Sequence, residues 1–145
     1  MTISTEQFRR CIRILRAASD GLQQHEAGDV SYEIYRAACV KEFELVLEQS
    51  WRLLRRRLRP FFASHRQADR LTFNDVFRCA AKHSLISGDE CERWLEYRAV
   101  RNDAAYDYCE QFAEKTLEAL SQFIADVEDL VEAIEEGQDD SPAAP

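Results

Sequence analysis

Ahead of its last four residues the chain carries one proline, Pro60, and in all 145 residues only four glycines. So few breaks leave long stretches that must form regular structure, and the β-branched runs that favour strands are absent. Apolar residues recur at intervals of three and four, the repeat of a helix with one buried face. The spacing predicts a first helix from about Thr5 to Gln24, opened by the capping box Ser4-Thr5-Glu6-Gln7, with Phe8, Cys11, Ile12, Leu15 and Ala18 inward. Gly28-Asp29 breaks it. A longer helix starts near Ser31 and stops at Arg59, because Pro60 would cost a hydrogen bond and clash with the preceding turn. Its inner stripe reads Tyr35, Ala38, Cys39, Glu42/Phe43, Val46, Leu47, Ser50, Leu54, Leu58, and Phe61 to Leu71 is expected as a loop.

Two more capping boxes, Thr72-Phe-Asn-Asp75 and Ser87-Gly-Asp-Glu90, predict a short helix to about Lys82 and another from about Asp89 to Val100. The last helix, from about Cys109 to Glu136, places Phe112, Thr116, Ala119, Leu120, Phe123, Val127, Leu130 and Ile134 inward and its acids outward. The fold expected is all-α: an up-and-down bundle of four main helices plus one short one, forming a single domain over residues 1–136, with residues 137–145 a disordered tail. Trp51 and Trp94 are expected to bury against the stripes.

Chemistry is more restricted than the fold. No apolar run approaches the roughly 20 residues that span a bilayer, and MTISTEQFRRCIRIL lacks the apolar stretch of a signal peptide, so a cytoplasmic location is expected. Five cysteines (Cys11, Cys39, Cys79, Cys91, Cys109) are odd in number, widely spaced and never arranged as CxxC, and read as reduced thiols. No cysteine or histidine spacing suits a metal, and phosphate-binding glycine loops, GxSxG and HExxH are missing, so neither metal nor cofactor is expected.

The net charge of -8 conceals an asymmetry. Arg52 to Arg70 holds seven arginines against Asp69, whereas Glu110 to Asp140 holds eleven acids against Lys115. Arg55, Arg56, Arg57 and Arg59, in RRRLR, read as a solvated helix face or as a surface for RNA phosphates or an acidic partner.

The densest polar stretch is RNDAAYDY, residues 101–108. Arg101 offers a planar fork for a phosphate or carboxylate, Asn102 and Asp103 offer hydrogen-bonding groups at a helix junction, and Tyr106 and Tyr108 offer hydroxyls. An arginine beside a general base can cut RNA without metal, the base taking the 2′-hydroxyl proton while the guanidinium steadies the phosphorane charge. Arginine, a polar residue, three more, then a reactive position followed by x-Tyr resembles the motif of HEPN-domain proteins. AACVKEFELVLEQSWRLLRRRL, LTFNDVFRCAAKHSLI and WLEYRAVRNDAAYDY are similar to the branch once named nucleotidyltransferase substrate-binding proteins, over roughly residues 5–135.

That resemblance implies a homodimeric helical bundle with the two motifs facing across the interface, and a minimal nucleotidyltransferase partner, the pair acting as toxin and antitoxin. It implies that Arg101 is the catalytic arginine, Asn102 its polar companion, and Tyr108 the residue that would receive AMP from the partner. It also implies an inward carboxylate, Glu42 or Glu44, paired with Arg101. The departure is Tyr106, where the family has histidine. A phenol with a pKa near about 10 is protonated at neutral pH and is a poor base. Arg59 to His65 and Arg78 to His83 repeat the loose spacing without the polar companion or the trailing tyrosine. The function expected is therefore a HEPN-type subunit with ribonuclease activity lost or severely reduced. The alternative is an active metal-independent toxin endoribonuclease cutting RNA or tRNA, or an inactivated variant of one.

Overall fold

The computed structural model describes residues 3–103 and 110–139. In order come α1 (Glu6–Gln23), α2 (Val30–Leu58), a 3-10 turn (Arg59–Phe61), α3 (His65–Asp69), α4 (Phe73–Lys82), α5 (Gly88–Asp103) and α6 (Glu110–Asp139). The bundle is all-α, as the apolar repeat requires. α2 lies at its centre, packed on α1 along one side, on α6 along another, and on α4 towards α5.

Side-chain pairs fix the directions. Arg36 reaches Glu114 and the Phe43 ring packs 4.6 Å from Phe123, so α2 and α6 run parallel. Arg9 meets Glu135 and Arg16 meets Glu128, so α1 runs against α6. Arg93 meets Asp126 and the Tyr97 ring packs 4.9 Å from Phe123, so α5 also runs against α6. The chain thus goes up, down, up and down. The C-terminus of α5, the N-terminus of α6 and the first turns of α2 share one end of the bundle, and the C-terminus of α2 lies at the other.

The predicted stripes form the core. Phe8, Leu15, Cys39, Phe43, Val46, Leu47, Leu54, Leu58, Phe123, Val127, Leu130 and Ile134 are all buried. Trp94 is fully buried, stacked 4.7 Å from Phe77 and edge-on to Tyr97 and Phe123, whereas Trp51 is only half-buried. At Gly21 an added Cβ would lie 2.3 Å from the Tyr35 ring, so glycine is what lets α1 close on α2.

Both inner capping boxes form. Thr72 and Asp75 bond reciprocally at the start of α4, as do Ser87 and Glu90 at the start of α5. The Ser4 box does not form. Thr5 is the N-cap at φ -109° and ψ 5°, outside the extended geometry that aims a capping oxygen at the first-turn amides, so it makes no side-chain cap bond, and its hydroxyl donates to Glu135 Oε1 at 2.6 Å. The expected 61–71 loop also needs correction. Ser64 caps Gln67 N and opens α3, whose Ala68 is buried, so a short local cap plus one apolar anchor suffices to wind a turn there. α6 continues three residues beyond Glu136, and residues 140–145 of the expected tail lie outside the described ones. No helix among the described residues is long and apolar enough to cross a membrane.

Candidate functional site

α5 carries the sequence motif to the end of the bundle. Arg101 sits in its last turn, half-buried, and Asn102 beside it is exposed. Tyr106, Tyr108 and Cys109 lie outside the described residues.

Two turns before Arg101, a polar cluster holds α5 to α6. Asp126, 1% exposed, accepts two hydrogen bonds from Arg93, at 2.8 and 2.9 Å, one from the Tyr97 hydroxyl at 2.5 Å and one from Gln122 at 3.2 Å. Burial alone would push this carboxyl up, but donors from Arg93, Tyr97 and Gln122 outweigh it and hold the pKa below the usual value. Burial, then the hydrogen bond to Asp126, push the Tyr97 phenol well above its ordinary range. Asp126 corrects the expectation that α6 turns its acids outward. The signal was its place three residues after Phe123 and four before Leu130, inside the stripe.

Arg101 differs from Arg93. Among the described residues its buried Nε has no hydrogen-bond partner, and neither has the buried Glu42 Oε2 on α2. Phe123 packs 4.6 Å from Phe43, the neighbour of Glu42 in sequence, and 4.9 Å from Tyr97, one turn before Arg101. Among the described residues neither Glu42 nor Glu44 forms an ion pair with Arg101, so the inward carboxylate implied by the resemblance is present but unpaired. Thr116 Oγ1, on the first turns of α6, is a third buried atom without a partner. Orphaned buried polar atoms are rare in native folds, and these three lack partners among the described residues.

The histidines are elsewhere. His65 is exposed at the start of α3, and His83 ends α4 stacked 4.0 Å from Phe61, beyond the C-terminus of α2. Both belong to the end opposite Arg101, because sequence spacing does not survive the fold. His25 follows α1, its Nδ1 2.7 Å from Gly21 O and its ring stacked on Tyr35. It sits on the α1 flank, and α1 and α5 do not touch among the described residues.

The arginine cluster lies at the opposite end and divides on inspection. Arg59 pairs with Asp69 at 3.1 Å, Arg55 lies 4.6 Å over the Trp51 ring, and Arg57 lies 5.9 Å from the Phe61 ring. Arg56 is exposed. Cys11, Cys39, Cys79 and Cys91 are free thiols, with burial pushing Cys39 up to about 11. Among the described residues one group of carboxylates, Glu90, Asp126 and Asp129, brings oxygens within 4.8 Å of one another. Arg93 already supplies the cation there, and Glu90 caps α5.

Three similarities bear on this arrangement. The family model for nucleotidyltransferase substrate-binding-like proteins matches residues 4–136. A probable ribonuclease HepT of Haemophilus influenzae is 24% identical over 98 residues, covering 68% of this chain and 66%, just under two thirds, of that protein. The fold of HI0074, also of Haemophilus influenzae, is that of a substrate-binding domain of a nucleotidyltransferase. It superposes with a TM-score of 0.74 at 18% identity, over 90% of this chain and 98% of HI0074.

Proposed function

This chain belongs to the nucleotidyltransferase substrate-binding-like family, and from that premise we propose that it is a HEPN-type subunit working with a minimal nucleotidyltransferase in a toxin–antitoxin-like pair. Arg101 is the phosphate-directed cation of the motif, Asn102 its companion, and Tyr108 the acceptor of AMP from the partner. The functional unit is a homodimer that joins two motifs. Tyr106, in the family's histidine position, leaves ribonuclease activity lost or severely reduced, because a protonated phenol cannot take the 2′-hydroxyl proton efficiently.

The observation that carries this reading is the buried Nε of Arg101, which has no hydrogen-bond partner among the described residues. A half-buried arginine whose Nε finds no partner among the described residues can receive an anion, and it stands at the junction where the motif begins. The similarity to a probable ribonuclease supports an RNA phosphate as that anion.

The test is cleavage of total RNA and tRNA in EDTA by this protein and by Tyr106→His. Cutting by Tyr106→His alone, abolished again by Arg101→Ala, is the expected result. Equal cutting by both would refute the role given to Tyr106, and cutting by neither would refute the ribonuclease scaffold. The acceptor role is read by mass: ATP-dependent gain of AMP with a partner nucleotidyltransferase must disappear in Tyr108→Phe.

A further inference from the structure

At the end of the bundle remote from the motif, α1 and the C-terminal half of α2 enclose a groove of about 420 Å³. Its size falls within the roughly 300–1,000 Å³ of small-ligand sites. Gln49, Trp51, Arg52, Arg55, Arg56 and Arg59 line it, with Ser4, Gln7 and Phe8 on the α1 side.

Three features give the groove a specific chemistry. Cations come first: Arg52 and Arg59 are each paired with one carboxylate, Glu48 and Asp69, which leaves the charges of Arg55 and the exposed Arg56 in excess, so the rim stays positive. Second is a flat shelf. The Arg55 guanidinium lies 4.6 Å over the Trp51 ring, and such a stacked plane accepts a further aromatic ring. Third are atoms left unsatisfied: among the described residues the buried Gln49 Oε1 and Arg55 Nε, an acceptor and a donor belonging to two of the lining residues, have no hydrogen-bond partner. Phosphate, aromatic base and a ring amine or hydroxyl would meet cations, shelf and acceptor together.

We infer that this groove binds a nucleoside phosphate unit, either one residue of a single-stranded RNA or a free nucleotide, with Arg52 and Arg56 on the phosphate, the Arg55–Trp51 stack under the base and Gln49 Oε1 accepting from the base or ribose. The site stands about 30 Å along α2 from the level of Arg36 and the motif end. It goes beyond the function proposed for Arg101, and does not depend on cleavage there.

Trp51 reports on it directly, since Trp94 is fully buried. The experiment titrates the full chain with a 12-nucleotide single-stranded RNA, and separately with AMP and ATP, reading tryptophan quenching and the anisotropy of a labelled RNA. Saturable quenching is expected, weakened about tenfold by Arg56→Glu, steeply reduced by added salt, and diminished by Gln49→Leu. Arg78→Glu, on exposed α4 surface, is the charge control and should change nothing. Saturation by AMP or ATP as tight as by RNA assigns the free nucleotide as the source, and RNA alone assigns the strand. Binding unaffected by both Arg56→Glu and Gln49→Leu overturns the proposal. So does binding lost in Arg101→Ala while Arg56→Glu retains it, which would place the RNA at the motif. Absence of binding to every probe also overturns it and leaves the rim to an acidic protein.

Discussion

Arg93 and Arg101 stand eight residues apart on α5, and the fold treats them in opposite ways. Arg93 spends both arms of its guanidinium on Asp126, in a bidentate pair that also binds the Tyr97 hydroxyl. Among the described residues Arg101 keeps a buried Nε without a partner, and Glu42 a buried Oε2 without one. One arginine therefore fixes the helix, and the other is presented by it. An activity that needs a cation at one end of a helix benefits from a second cation that stops the helix from sliding or rotating.

Three changes would break or sharpen that contrast. The largest effect is expected from Asp126→Asn, which removes the buried charge from under Arg93 and Tyr97 and should cost about 3 kcal/mol in urea unfolding. A loss under about 1 kcal/mol would mean that the cluster is not what holds α5 to α6. Acid should act next, on the seam between α1 and α6. Hydrogen bonds from Arg9 and Thr5 hold the Glu135 pKa down at about 2, against an ordinary 4.5. A depressed carboxyl stabilises the fold fully above its unfolded pKa, so this contribution is lost as pH falls from about 4.5 towards 2. Both side chains are over a third exposed or nearly so, and the loss should stay under about 1 kcal/mol. Unfolding curves of the protein and Glu135→Gln should converge at low pH, and curves that stay parallel would remove the seam from the account. Smallest in stability is Arg101→Ala, expected within about 0.5 kcal/mol. A melting shift as large as that of Asp126→Asn would make Arg101 a second structural arginine and erase the contrast.

Core positions were legible because burial leaves a periodic trace. Phe8 to Ala18 and Phe123 to Ile134 could be assigned inward from spacing alone, and Thr72 and Ser87 announced their helices through local hydrogen bonds. Ser4-Thr5 shows the limit of such local signals: the same capping pattern was present, but the helix starts one residue later, at a Thr5 whose backbone is not extended and whose hydroxyl donates to a long-range partner, Glu135. Asp126 was missed for a related reason. An acid in an acid-rich helix reads as solvent-facing until the arginine and tyrosine that satisfy it are brought over from another helix. At the candidate site, the motif's presence and the placement of Arg101 at a helix end were readable. The orphaned Arg101 Nε and Glu42 Oε2 among the described residues, the distance of His65 and His83 from them, and the groove assembled from α1 and α2 all depend on tertiary packing, which a linear pattern does not encode.

The diverted hydroxyl of Thr5 has a further consequence. By tying the first residues of α1 to Glu135 near the finish of α6, it brings the two ends of the folded domain to one place, 2.6 Å apart at that bond. The backbone is thus nearly a closed ring, with its seam at the pole opposite Arg101. A ring can be cut anywhere its surface is exposed, so a circular permutant joined across this seam and opened in the exposed stretch around Ser64 would keep every helix pairing. Cargo fused at the seam would likewise hang from the far pole and leave the motif end open to a second copy or to a partner enzyme.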